Sequence, residues 1–397
     1  MPLKPSTVVG ALNGVTIIDL TQVLAGPYAS MMLADMGARV IKVENPGLGD
    51  ISRAIGPHVN GQSVYFASLN RGKQSIALDL KNEDDIRIFN ALLDEADVLM
   101  ENFKPGAMAR LGYDWDRIHR DWPHLIYSAT SGFGHTGPYS PRPAFDMVVQ
   151  AMGGIMSVTG QPDGPPTRVG SSIGDIVAGL FTCNGVLSAL HQRNKSGKGM
   201  FVDVAMLDSQ IAILENAIAR YVTTGEIPGP LGARHPSIAP FGVFDTADDP
   251  IVIATISEAQ YGLMTGTIGR PDLATNPLFS SVDERLENVD VLKAELEATL
   301  KNHGAEYWLE KLEANGLPCG PLNNVAQALS NEQVLARNMV VSLDDPVVGH
   351  VEMAGNPIKI SGIPDPATRG PVPGIGSDRQ DILKELGLTD SGNASAI

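Results

Sequence analysis

Residues 170–180 read GSSIGDIVAGL, and Asp175 stands where a helix begins that is otherwise apolar for two turns. An aspartate there can simply cap the helix or answer its dipole, and on spacing alone that is the commoner role. The same position also keeps a carboxylate ionised, and Gly174 lets a ligand approach the backbone closely. An ionised, partly desolvated carboxylate is a competent nucleophile toward activated acyl groups. The two roles are compatible.

Four other segments carry residue types that could serve a ligand. Residues 21–27 (TQVLAGP) form the first strand-to-helix turn and hold a single glycine, Gly26. A dinucleotide-binding turn would read G-x-G-x-x-G, so a nicotinamide cofactor loses its main support. Residues 44–50 (ENPGLGD), 69–73 (LNRGK) and 101–110 (ENFKPGAMAR) lie where strands end. Ligands of open α/β sheets bind beyond the carboxyl ends of the strands, so Arg71, Lys73, Lys104 and Arg110 could converge on a phosphorylated ligand. Taken singly, each reads as an ordinary solvated charge. Pro105 is placed to open a helix at its first position.

The elements that must hold these residues follow from periodicity. Residues 15–19 (VTIID) predict a buried strand, 28–36 a helix ending at Gly37, and 40–44 the next strand. Such strand–helix–strand units make parallel sheets with right-handed crossovers. The pattern recurs with strands at 75–80, 98–101 and 125–129 and a helix at 83–95. A long helix over 174–193, a strand over 201–205 and a helix over 208–222 follow. Residues 223–240 (TTGEIPGPLGARHPSIAP) carry no periodicity and predict a linker. Beyond them, 242–255 reads as a hairpin, 257–315 as mainly helical, 346–363 as strand and 381–386 as a short closing helix. The predicted organisation is a large α/β domain over 1–222, a linker over 223–240, a small α+β domain over 241–330, and a return segment over 331–397.

With 397 residues there is room for two or three domains at roughly 100–200 residues each. The formal charge of −16 argues against nucleic acid as a main partner, since phosphate neutralisation needs a basic surface. Cys183 and Cys319 have no metal-ligand spacing and no disulfide framework, as in a reducing cytoplasm. No apolar run is read as reaching the roughly 18–20 residues that span a bilayer, and residues 1–14 lack the apolar stretch of a signal peptide. The tail 391–397 is expected to fray.

In this order, DLTQVLAGP, GARVIKVENPGLGD, SLNRGKQSIALDL, ENFKPGAMARLGY, SGFGHTGPYS, VGSSIGDIVAGL and SGKGMFVDVAMLD resemble the class III CoA-transferases, the family of formyl-CoA transferase and carnitine CoA-transferase. The resemblance runs from about Leu12 to Pro364. It implies a Rossmann-like doubly wound large domain, a smaller α+β domain and an interlocked homodimer. It also implies acyl-CoA and a small carboxylic acid as substrates, with no metal and no other cofactor.

Residue by residue, the resemblance makes Asp175 the nucleophile and Val23, Leu24 and Ala25 first-turn contacts to CoA. Leu69, Arg71 and Lys73 match its nucleotide end, and Asn102, Phe103 and Arg110 further contacts. Asn45 and Ser131 stand where formyl-CoA transferase carries an arginine and a lysine. The glycine-rich loop that closes over that enzyme's site has no counterpart; residues 233–242 read ARHPSIAPFG instead. That stretch resembles the branch handling small dicarboxylates such as itaconate, mesaconate or malate with succinyl-CoA, with Gln22, Arg234 and His235 as partners for the acid. The family also contains α-methylacyl-CoA racemases, which need an acid and a base astride the α-carbon. Their histidine position is Phe145 here, ahead of Asp146, which reads as a structural acceptor. A non-catalytic acyl-CoA-binding protein is the remaining alternative.

Overall fold

The computed structural model describes residue 3 and residues 9–389. The expected fraying of the tail falls outside them. Strand β1 (Thr16–Asp19) is buried along its whole length. It is joined by β2 (Arg39–Glu44), β3 (Gln74–Ala77), β4 (Val98–Glu101), β5 (Ile126–Ser131) and β6 (Phe201–Ala205). All pair in parallel, in the order β3-β2-β1-β4-β5-β6. A parallel sheet is covered on both faces, which is why its strands read as continuous apolar runs.

Successive side chains of β1 enter different cores. Ile18 joins Ile41, Ile76, Phe89, Leu92 and Leu99 on one face. Ile17 joins Leu33, Val40, Val98, Val186 and Leu190 on the other. The first face is covered by α3 (Glu83–Glu95), whose Asn82 cap accepts from the Asp84 and Asp85 N–H groups and whose buried stripe is Ile88, Phe89, Leu92 and Leu93. The second is covered by α1 (Ala25–Asp35) and α7 (Ile173–Ser196). Gly37, just past α1, takes φ +101, a left-handed value that suits glycine.

Strand order reverses at one place. The chain builds outward from β1 to β3, then returns to the far side of β1 to lay down β4. Beyond the carboxyl ends of β1 and β4 lies the crevice where such sheets bind ligands.

Several boundaries differ from the expected ones. The predicted helix over 208–222 is two, α8 (Met206–Ala212) and α9 (Glu215–Thr224), broken where Glu215 takes φ +27. Pro105 opens no helix: α4 (Ala107–Arg110) starts two residues later, after Gly106 at φ +84. The strand expected from Pro346 is a hairpin, Val340–Asp345 with Gly349–Ala354, and Pro346 sits in its turn. Proline has no N–H for a ladder, whereas the Asp345 carboxylate caps the Val347 and Val348 N–H groups of that turn. Helix α7 is, among the described residues, the one helix whose length and composition would let it cross a membrane, contrary to the sequence expectation; half of its most apolar window is buried inside the protein.

Among the described residues the chain divides into two units. The first falls within 1–156, 168–223 and 332–397, the second within 157–167 and 224–331. The second has an antiparallel sheet of Phe241–Phe244, Ile251–Ala254 and Cys319–Pro321, the first two being the expected hairpin. Helices between Glu258 and Ala314 cover it around Phe244, Ile253, Tyr261, Leu296 and Trp308.

Candidate active site

The turn after β1 is held from below by buried charges. Asp19, wholly buried, accepts from the Thr21 N–H at 2.8 Å, the Ser30 hydroxyl at 2.7 Å and the Lys73 ammonium at 3.0 Å. Burial alone would raise its carboxyl, but Lys73, Lys42 and the hydroxyls of Thr21 and Ser30 hold it down at about 2. Burial lowers Lys73 to about 8 against the pull of Asp19. Lys42 donates to the Thr21 carbonyl at 2.6 Å and pairs with Asp50 at 2.8 Å. Asp50 in turn accepts the Val23 N–H at 3.1 Å. The Asn102 side-chain amide clasps both backbone groups of Gln22 at 2.8 Å each.

Those bonds hold Val23 at φ +66. A β-branched residue there carries strain of about 1–3 kcal/mol, which only a surrounding structure can impose. Gly26 is required next to it, because a Cβ would stand 2.4 Å from that of Thr21.

Helix α6 (Asp146–Met152) sets the opposite wall. Asp146 accepts the Gly174 N–H at 2.8 Å, the Gln150 amide at 2.9 Å and the Arg168 guanidinium at 3.2 Å. Asp146 thus acts as the structural acceptor expected of it. A Cβ on Gly174 would press Val149 at 2.7 Å and the Asp146 carboxylate at 3.0 Å. Glycine is therefore needed there for α6 to pack on α7, a reason different from the ligand approach read from sequence.

Asp175 lies in the first turn of α7 and is half-buried. Burial pushes its carboxyl up, and the neighbouring Asp146 charge adds to the rise, to about 7. The ionised form that the helix position favours is therefore opposed by desolvation and by a like charge. No side chain or backbone group among the described residues donates to it. Gly179, one turn on, has no side chain because the Ala25 carbonyl would meet its Cβ at 2.7 Å. Asp175 shares that helix face and so looks toward the start of α1. Tyr65, in α2 (Val64–Asn70), has its hydroxyl pushed up to about 12 by burial and then by the charges of Asp175, Asp50 and Asp146.

A cleft of about 240 Å³ joins these parts. It is lined by residues 22–25 after β1, 102–105 after β4, 130–132 at the end of β5, 142–145 before α6, and Asp175. The strand-order reversal has placed it. Beneath Phe103, Glu101 is buried and accepts the Phe103 N–H at 2.6 Å; burial pushes its carboxyl up to about 7.

Of the residues picked from sequence, Gln22, Val23, Leu24, Ala25, Asn102, Phe103, Lys104, Ser131 and Asp175 come together here. Leu69, Arg71 and Lys73 do not: all three are buried. Lys73 serves Asp19, and Arg71 pairs with Asp35 at 3.0 Å beside a separate cavity of about 50 Å³. Asn45 and Arg110 are exposed away from the cleft lining. Arg234 and His235 belong to the second unit. Arg234 lines that unit's own cavity of about 210 Å³, and His235 stacks on Phe241 with ring centres 5.1 Å apart. Sequence reading missed Tyr65, Glu101 and Arg142; Arg142 was within reach, three residues ahead of Phe145.

Comparison with known proteins gives a consistent picture. The family described as CoA-transferase family III matches residues 12–379. An acetyl-CoA:oxalate CoA-transferase from Acetobacter aceti is 45% identical over 391 residues, 98% of each chain. A succinyl-CoA:mesaconate CoA-transferase from Haloarcula hispanica is 37% identical over 390 residues, 96% of this chain and 97% of its own. A CaiB/BaiF family protein from Brucella suis matches in structure with a TM-score of 0.83 at 35% identity, covering 95% of this chain and 100% of that one.

Proposed function

The chain belongs to CoA-transferase family III and is a CoA-transferase; we propose that it moves CoA through a covalent bond to Asp175. The observation that carries this reading is a half-buried carboxylate with no hydrogen-bond donor, set in the cleft at the strand-order reversal. Once ionised, such a group is poorly solvated and therefore a strong nucleophile.

The sequence of steps balances without a metal or redox group. Asp175 attacks the carbonyl of the donor acyl-CoA; the C–S bond breaks, CoA thiolate leaves, and a mixed anhydride remains. The thiolate attacks the aspartyl carbonyl, the donor acid leaves as carboxylate, and an aspartyl-CoA thioester forms. The acceptor carboxylate then attacks that thioester, and the released thiolate takes the acceptor's acyl group, restoring Asp175. The first N–H groups of α1 have no carbonyl one turn back to bind, and they would stabilise each oxyanion. Val23, Leu24, Ala25, Asn102, Phe103 and Ser131 would hold the thioester end of CoA, leaving exposed Asn45 and Arg110 for its phosphates. Arg71 and Lys73 would shape the layer beneath.

Oxalate and mesaconate are both dicarboxylic acids, so the proposed acceptor is a short dicarboxylate, with Gln22 beside it; the relatives' donors are acetyl-CoA and succinyl-CoA. A racemase would need a second proton carrier. Asp146 is committed to three donors, and Phe145 carries no proton. The apolar residues exposed on α6 and α9, among them Met147, Ile218, Tyr221 and Val222, fit coverage by a second copy in a homodimer.

Donor acyl-CoA without acceptor, followed by hydroxylamine at neutral pH, should convert Asp175 to a hydroxamate within the tryptic peptide of residues 169–193. Asp175→Ala should show neither the adduct nor more than about 1% of activity. Robust turnover with no adduct on that peptide would overturn the mechanism.

A further inference from the structure

Arg142 lines the same cleft as Asp175 and is exposed there. Its guanidinium lies over the ring of Tyr139 at 4.5 Å and near that of Phe133 at 5.4 Å. Its backbone N–H donates to the Tyr139 carbonyl at 2.8 Å. Among the described residues no carboxylate pairs with its side chain. Five other arginines of the first unit, Arg39, Arg53, Arg71, Arg168 and Arg193, each answer an acidic side chain at 2.7–3.2 Å, whereas Arg110, which also pairs with no carboxylate among the described residues, lies outside the cleft lining. In a chain with 45 acidic and 29 basic side chains, acidic partners are plentiful.

Stacking on aromatic faces fixes the plane of a guanidinium yet leaves its N–H donors unbonded. Such a fork suits a carboxylate, which it binds through two parallel hydrogen bonds. The choice between a carboxylate and the phosphates of CoA follows from size. A cleft of about 240 Å³ is smaller than the ~300–1,000 Å³ of sites that enclose a drug-sized ligand. It holds the reacting end of a thioester and a short acid. The CoA phosphates lie roughly 15 Å from the sulfur along an extended pantetheine arm, beyond so small a space.

The geometry points to Arg142 as the residue that reads the second carboxylate of the acid substrate, and so sets the preference for dicarboxylic over monocarboxylic acids. This rests on the reading above that the acceptor is dicarboxylic. The first carboxylate reacts at Asp175, and Arg142 holds the other. A charge-assisted pair of this kind contributes about 1.5–3 kcal/mol, a factor of roughly 10–100 in selectivity.

The test compares wild type, Arg142→Gln and Arg142→Lys with one donor and matched acids, such as glutarate against butyrate and mesaconate against crotonate. Free CoA binding is measured by calorimetry, and far-UV circular dichroism checks the fold. Arg142→Gln should lower the dicarboxylate-to-monocarboxylate ratio of kcat/KM by about 10–100-fold and leave the Kd of free CoA unchanged. Arg142→Lys should recover part of the ratio, since charge survives but the fork does not. An unchanged ratio in Arg142→Gln overturns the proposal, and weaker CoA binding with that ratio intact would assign Arg142 to a phosphate instead. A wild-type enzyme with no preference for dicarboxylates overturns the substrate reading and the proposal together, while a hydroxamate on Asp175 would still stand.

Discussion

Asp19 and Asp175 are the same residue type in the same unit, both drawn away from water, with opposite outcomes. Burial raises both carboxyls. Two lysines and two hydroxyls overrule it at Asp19, which is held at about 2. At Asp175 the listener is another acid, and the group is pushed up to about 7. The first aspartate is a strut whose ionisation is locked in by its partners. The second is pushed toward protonation and short of donors, which suits the nucleophile proposed for it. Neighbours, not burial, divide structure from chemistry here.

The largest break of this comparison is at the strut. Lys73→Met leaves Asp19 buried and short of its cation, and should lower unfolding free energy in urea by about 3–5 kcal/mol. Adding Asp19→Asn should restore most of the loss. A Lys73 that held the CoA nucleotide, as its sequence context suggested, would weaken acyl-CoA binding and leave stability intact.

A smaller effect tests the nucleophile. As the proposed nucleophile, Asp175 would react as its carboxylate, so the rate of adduct formation should climb with pH through about 7. Asp146→Asn removes the like charge but not the burial. The midpoint should therefore move down without reaching the ordinary value, with up to roughly tenfold faster reaction below pH 7. The two aspartates also pull stability in opposite directions. Asp19 is stabilising above 3.8, and that contribution is lost as pH falls through about 2. Asp175 is favoured protonated in the fold, so its contribution is full below 3.8 and is lost as pH rises through about 7. Asp175→Asn should flatten the second slope in urea titrations between those values.

The smallest effect is at the turn between them. Val23→Gly accepts φ +66 without strain and should raise stability by about 1 kcal/mol, while kcat falls severalfold as the turn loosens. Equal or higher kcat would detach the strained turn from catalysis.

The parallel sheet, the helix carrying Asp175 and the cleft residues after β1 and β4 were legible because each follows from local pattern: apolar runs, a polar start to an apolar helix, and ligand placement at strand ends. Arg71 and Lys73 were not, because LNRGK looks like solvated surface until partners 36 and 54 positions away enclose it. The upward shift of Asp175 was hidden for the same reason: burial in the cleft is its main cause, and Asp146, 29 residues back, adds to it only through packing. Arg142 had one local signal, its place three residues ahead of Phe145, and nothing in that spacing tells what it binds. Its meaning comes from two aromatic rings and the absence of an acid among its described neighbours.

Helix α7 poses a problem of synthesis. As it leaves the ribosome, a 24-residue helix with an 18-residue apolar window resembles the signal that membrane-insertion machinery selects. Its place in the gene answers this. The first residues of α1 are made about 7–30 s earlier at ordinary elongation speeds, and β1, β2, β4 and β5 also precede it. Most of the surface that will cover Cys183, Val186, Ala189 and Leu190 has therefore been translated before the helix emerges. A circular permutant that began at α7 would send the helix out first, with its cover still inside the ribosome.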